Sequence, residues 1–184
     1  MHVVNIADTG IFWAIGKPPN PHYRTLREIL AADPQQTLQL PRPIYEELGG
    51  DLSADAFPSG SEYVDQGIQE GWIEIADPLS ETPPVSDAVR DARDVMNAEI
   101  AHPKTAVLEP DLSLIGLAVQ LFDRAESIHV NLFTTDKPLQ KAAVIVIQHY
   151  GYYDIDVYFA PPQAVTSDLL QQDHFTAGYR PTDQ

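Results

Sequence analysis

Four acidic side chains, each at the edge of an apolar run, could do chemistry together: Asp8 in NIADTGIF, Glu47 in PIYEELGG, Asp111 in EPDLSLIGLA and Asp136 in LFTTDKPL. They are widely separated in sequence, and three of them stand where a strand or loop gives way to a helix. Brought together, they would form a cage of carboxylate oxygens suited to Mg²⁺ or Mn²⁺. Such a cage is a common means of hydrolysing phosphodiesters. Taken singly, each acid has a plainer role. Asp8 and Asp136 can cap helices, Asp111 can favour a helix N-terminus through its charge, and Glu47 can sit in solvent beside Glu46. Glu109, two residues before Asp111, competes for its place, but the spacing of Asp111 to Ala118 fits the helix pattern better. Four carboxylates without a counter-ion repel one another and raise at least one pKa, so metal affinity is expected to depend on pH.

The elements that must position these acids follow from periodicity and punctuation. HVVNIA (2–7) is β-branched and predicts a buried strand ending at Asp8. A short helix over 9–15 is stopped by Gly16 and the KPPNP stretch. A helix over 22–32 and a strand over 37–40 follow; Pro41 and Pro43 then open a helix that carries Glu46 and Glu47 and ends at Gly49-Gly50. Residues 51–60 form a polar loop, a candidate lid, followed by a helix over 61–70 and an alternating strand over 72–76. After the loop 77–84, Ser86 predicts an N-cap for a helix running to about Ala101, and a loop holds His102-Pro103. Residues 111–122 are apolar nearly all round and predict a buried helix. A strand over 128–133 runs into Thr134-Thr135-Asp136, and Pro138 opens a helix despite the β-rich AAVIVIQ that follows. Residues 154–159 are the last strand. Phe12 and Trp13 are expected in the core beside the acids, and Tyr150, Tyr152, Tyr153 and Tyr158 are expected to pack around the last strand rather than stack bases. Strands alternating with helices predict an α/β fold with a mainly parallel sheet. Ligands of such folds bind beyond the carboxyl ends of the strands, where Asp8 and Asp136 fall.

Composition narrows the function classes. The 184 residues suffice for one domain with a real core, and no run approaches the roughly 18 to 20 apolar residues of a membrane span. The start, MHVVNIAD, does not read as a signal peptide, which predicts a cytoplasmic protein. The chain has no cysteine, so disulfides and thiolate chemistry are excluded and any metal must be held by oxygen or histidine. The histidines at 2, 22, 102, 129, 149 and 174 show no HxxxH or HExxH spacing. Neither a G-x-G-x-x-G run nor a Walker A sequence is present, so nucleotide-cofactor chemistry has no support. Acidic residues number 27 against 11 basic, a formal charge of −16, and lysine is confined to Lys17, Lys104, Lys137 and Lys141. That balance predicts a halophilic origin, because at ~1 M salt the Debye length is only about 3 Å and the self-repulsion is screened. It also argues against tight, charge-driven binding to a nucleic-acid duplex.

Order and motifs together resemble the PIN domain, a metal-dependent ribonuclease family that includes toxin nucleases of the VapC type. The likeness is carried by strand-Asp8-Thr9-Gly10-x-Phe12, by Glu47-Leu48, by Asp111-Leu-Ser-Leu-Ile-Gly-Leu-Ala118 and by Thr134-Thr135-Asp136 with Pro138-Leu139, over roughly residues 3–159. The resemblance implies a three-layer α/β/α fold with a mainly parallel central sheet, a nuclease domain over 1–160 and a polar, loosely ordered tail over 161–184. It maps Asp8, Glu47, Asp111 and Asp136 onto the family's acidic quartet, which holds Mg²⁺ or Mn²⁺. It maps Thr9 and Thr134, with Thr135 beside them, onto positions that line the site or orient a carboxylate. The implied activity is hydrolysis of RNA phosphodiesters, and the implied partners are an RNA substrate, an antitoxin or other protein, and a second copy of the chain. The rival reading is a non-catalytic PIN-like module that binds RNA or protein, favoured by the acidic surface. An α/β phosphatase fits less well, because no D-x-D follows the first strand.

Overall fold

The computed structural model describes residues 2–33, 36–53, 60–99, 107–125, 127–159, 161–162, 165 and 176–177. The chain runs β1 (His2–Ala7), α1 (Thr9–Ile15), α2 (Pro21–Ala32), β2 (Gln36–Leu40), α3 (Arg42–Glu47), α4 (Asp65–Glu70), β3 (Ile73–Ile75), α5 (Val85–Glu99), α6 (Glu109–Arg124), β4 (Ile128–Thr134), α7 (Lys137–His149), β5 (Ile155–Phe159) and β6 (Thr176–Ala177). The strands form one sheet in the order β3-β2-β1-β4-β5-β6. All neighbours are parallel except the last pair, where β6 runs antiparallel to β5. Strand order reverses between β1 and β4. The chain builds outward from β1 to β3 and then returns to lay β4 on the free side of β1. Such a reversal opens a crevice beyond the carboxyl ends of the two strands, because their connections leave in opposite directions.

Right-handed crossovers place α1 and α2 on the opposite face of the sheet from α7. Helices α5, α6 and α7 pack on one another, completing three layers. The predicted submergence of α6 is observed: every residue from Leu112 to Gln120 is buried. Gly116 makes this possible, since a Cβ there would stand 2.8 Å from both Leu79 and Val89. Gln120, polar yet buried, accepts a hydrogen bond from the Ser80 N–H at 2.7 Å and donates to the Pro78 carbonyl at 3.3 Å. One α6 side chain thereby ties down the loop after β3, satisfying polar groups that burial would otherwise penalise.

A polar row crosses the sheet. The Asn131 amide donates to Asn5 Oδ1 at 3.0 Å, and Asn5 donates to the Thr37 carbonyl at 3.1 Å. On the other side, His129 Nε2 lies 3.2 Å from Asn131 Oδ1 and 3.1 Å from Asp156 Oδ2. The row links β2, β1, β4 and β5.

Two helix starts differ from their predicted positions. Ser86 does not cap α5; the helix already begins at Val85, and the Ser86 N–H is used in a turn to the Thr82 carbonyl at 3.2 Å. The fourth helix begins at Asp65 rather than Ser61, because the buried Ser61 hydroxyl donates to the Leu48 carbonyl at 2.8 Å and anchors a turn instead. The middle of the predicted lid (54–59), the His102-Pro103 loop and most of the tail lie outside the described residues. Among the described residues, no helix is long and apolar enough to cross a membrane.

Most described cations are already engaged by acids. Lys17 pairs with Glu62, Arg27 with Glu70, Arg90 with Asp87 and Asp91, Arg93 with Glu109, Arg124 with Asp77 and Lys141 with Glu99. These pairs absorb few of the 27 acids. The rest repel one another until salt screens them. The melting temperature is therefore expected to rise between about 0.1 M and about 2 M KCl. Equal melting in the two salts, by calorimetry or circular dichroism, would count against a salt-adapted fold.

Candidate functional site

Asp8 stands where β1 ends and α1 begins, in the crevice of the strand reversal. Its backbone N–H extends the ladder to the Phe133 carbonyl at 3.0 Å. Its side chain is buried and does two jobs. Oδ1 accepts from the Ile11 N–H at 2.9 Å, capping α1. Oδ2 accepts from Thr134 Oγ1 at 2.6 Å, the Thr135 N–H at 2.8 Å and Thr135 Oγ1 at 3.4 Å, which ties the end of β4 to the end of β1. Burial raises the Asp8 pKa, and the donors from Thr134, Thr135 and Ile11 oppose that rise.

Gly10 explains why a glycine follows Asp8-Thr9. A Cβ at this position would collide with Thr135 Oγ1 and lie 3.3 Å from Asp8 Oδ1. Only a residue without a side chain lets the first turn of α1 pass this close to the β4 loop.

Thr9, the first residue of α1, donates its hydroxyl to Glu47 Oε2. This bond draws the last residue of α3, otherwise exposed, toward the crevice. Asp136 occupies the N-cap position of α7, its side chain facing the Leu139 N–H but outside cap hydrogen-bond geometry. Instead Thr134 Oγ1 accepts from the Asp136 N–H at 2.9 Å, so one hydroxyl serves both Asp8 and the Asp136 backbone. Burial and the Asp8 charge raise the Asp136 pKa, while the Leu139 N–H works the other way.

Asp111, in the first turn of α6, brings the group together. Its pKa is raised to about 7 by burial and then by the charges of Asp136, Asp8 and Glu47. Four segments distant in sequence thus place their acids in one another's field. Among the described residues, no lysine, arginine or histidine acts on Asp8, Asp111 or Asp136. Lys137, beside Asp136 in sequence, holds its ammonium 5.4 Å from the centre of the Phe159 ring. Of the two weaker candidates, Glu109 reaches away to Arg93 at 3.3 Å, and Glu46 lies exposed beside Glu47.

The donors suit a hard divalent cation: oxygen only, several carboxylates and, among the described residues, no competing cation. They do not form a closed shell. Among the described residues, no group of three or more His, Asp or Glu stands in metal-holding geometry. Hydrogen bonds from threonines fix Asp8 Oδ2 and Glu47 Oε2.

A family model described as the halobacterial PIN domain matches residues 1–172. The chain belongs to that family. No curated protein and no solved structure matched it. The family is one of nuclease-like modules from salt-adapted organisms, in keeping with the acidic composition of this PIN domain.

Sequence reasoning placed Trp13 of this PIN domain in the core, and the structure corrects that. Phe12 is buried, but Trp13 is 54% exposed. The helical period carries the reason: Ile11, Phe12 and Ile15 form the buried stripe of α1, and Trp13 projects from the far side with Gly10 and Ala14. Tyr153 is likewise exposed, whereas Tyr158 is buried and Tyr150 and Tyr152 are partly buried, as expected. The cross-sheet asparagines and Gln120 gave no signal beyond being polar residues inside apolar runs. Read as buried polar groups in need of partners, they would have been found.

Proposed function

We propose that this PIN domain is a metal-dependent endoribonuclease whose Asp8, Glu47, Asp111 and Asp136 hold Mg²⁺ or Mn²⁺. The observation that carries the reading is the Asp111 carboxyl, raised to about 7 by burial and by three other acids, with no cation among the described residues to relieve them. A fold keeps such mutual repulsion where a bound cation is to be accommodated. When bound, the cation supplies Lewis-acid polarisation of a phosphoryl oxygen and makes water a better nucleophile near neutral pH.

The chain's own residues supply the rest. Thr134 and Thr135 hold Asp8 in one orientation, so its oxygens need no reorganisation when substrate arrives. Thr9 restrains Glu47, the most exposed of the four acids. Asp111 keeps its proton up to near neutrality and gives it up above about 7. The reading predicts 5′-phosphate and 3′-hydroxyl ends, a toxin or processing role set by partners, and a place for a second copy or an antitoxin.

The test is a metal titration followed by cleavage of a labelled single-stranded RNA in molar KCl. Mg²⁺ or Mn²⁺ should bind and support cleavage, and EDTA should stop it. Absence of metal binding would support the second reading, a non-catalytic module for RNA or protein. One observation favours that alternative: most described basic residues are paired with acids, leaving little positive surface to gather RNA.

A further inference from the structure

We propose that Trp13 is a stacking platform for a nucleobase next to the scissile phosphate. The inference rests on the ribonuclease reading above and adds how substrate is gripped. Trp13 shares the outer face of α1 with Gly10 and Ala14, and these residues line a surface pocket of about 470 Å³ with Thr135 and Pro162. Two of the lining residues adjoin Asp8. Thr135 forms one wall, and the same residue donates its N–H and hydroxyl to Asp8. Gly10 forms another, two residues from Asp8, and has no side chain to separate the two.

Chemistry selects the occupant. None of the described lining residues is charged, so the pocket offers a phosphate nothing, and the carboxylates beside it repel one. A flat, neutral, polarisable group fits an exposed indole and a proline ring. A nucleobase is the part of an RNA chain with that character. Stacking on an aromatic is indifferent to base identity and does not depend on counterion release. In a salt-adapted protein with few free cations, it is the form of RNA grip that concentrated salt leaves intact. Among the described residues, the other strongly exposed aromatic, Tyr153, precedes β5 and so lies at the opposite end of the parallel strands from the acids.

The protein carries its own probe. It has two tryptophans, and Trp72 is only 4% exposed, so ligand-dependent quenching reports Trp13. In an Asp111→Asn background with Mg²⁺ and molar KCl, a short single-stranded oligoribonucleotide should quench the emission. Adding Trp13→Ala should remove the quenching and weaken binding about tenfold, while Trp13→Phe should stay within about threefold. An RNA with an abasic residue at the contacted position should bind the tryptophan and alanine proteins equally. Because Trp13 is exposed, neither substitution should move the melting temperature.

Unchanged RNA affinity in Trp13→Ala overturns the platform. So does a change of oligomeric state in Trp13→Ala with RNA binding intact, which would make the face a protein interface. The two readings fail separately. Quenching by RNA without any cleavage leaves the platform standing and removes the nuclease. Metal-dependent cleavage with the same KM in Trp13→Ala and wild type does the reverse.

Discussion

Asp111→Asn should lower metal-dependent cleavage by on the order of 10²- to 10³-fold while raising the melting temperature of the metal-free protein. The opposite signs come from one cause. In the native chain Asp111 is partly buried, receives no compensating cation from the described residues and feels Asp136, Asp8 and Glu47. Replacing its carboxyl with an amide of the same shape removes a charge that the fold finds costly, so the fold is relieved. It also removes an oxygen ligand, so the site loses cation affinity. The measurement pairs a thermal scan in EDTA with single-turnover cleavage at saturating Mn²⁺. A variant that melts lower and cleaves normally would remove Asp111 from the site. The same substitution at Asp8 is less clean. Both Asp8 oxygens accept hydrogen bonds, from Ile11 on one side and from Thr134 and Thr135 on the other. An amide nitrogen would face N–H and O–H donors there, so Asp8→Asn damages cap and site together.

Mn²⁺ binding should release protons, and its apparent affinity should climb by up to about tenfold per pH unit below neutrality, then level off. The sign follows from Asp111, whose pKa is raised from 3.8 to about 7 in the folded chain. Between those values the folded protein holds a proton that the unfolded chain has lost. Stability without metal therefore falls as pH rises through this window and is flat above it. Burial moves Asp8 and Asp136 in the same direction, which adds to the slope. A cation that needs the ionised carboxyls competes with those protons. The rise in melting temperature on adding Mn²⁺ should be small near pH 5.5 and large near pH 8. Calorimetric titration in buffers of different ionisation enthalpy would count the protons directly. An affinity independent of pH from 5.5 to 8 would mean that Asp111 is not a ligand.

The fold was readable where pattern and punctuation agreed. The β-branched run before Asp8, the Pro-opened helix after Asp136 and the apolar stretch after Asp111 each became the predicted element. AAVIVIQ is β-rich by propensity but forms part of α7, because Pro138 sets the start and the buried stripe through Leu139, Ala142, Ala143, Val146 and Ile147 follows the helical period. Order in the sheet was not readable. Nothing local tells β1 that its two neighbours are β2 and β4. The contribution of Thr9 was visible only through the family resemblance, since a hydroxyl reaching across 38 positions to Glu47 leaves no periodic trace. Trp13 was misplaced because hydrophobicity alone was allowed to override its position on the helix.

The asparagine pair inside the sheet acts as an alignment mark for everything beyond it. Apolar parallel strands are poor at knowing how far to slide, since a shift of two residues returns the same faces to the same sides. Asn5 and Asn131 stand opposite each other and exchange a hydrogen bond in one setting only. Three positions further along both strands, that setting puts Asp8 level with Thr134. A slip of two residues would strand the amides and carry the threonine about 7 Å from the carboxylate it orients. A neutral amide pair inside the sheet thus helps to set where the acids stand.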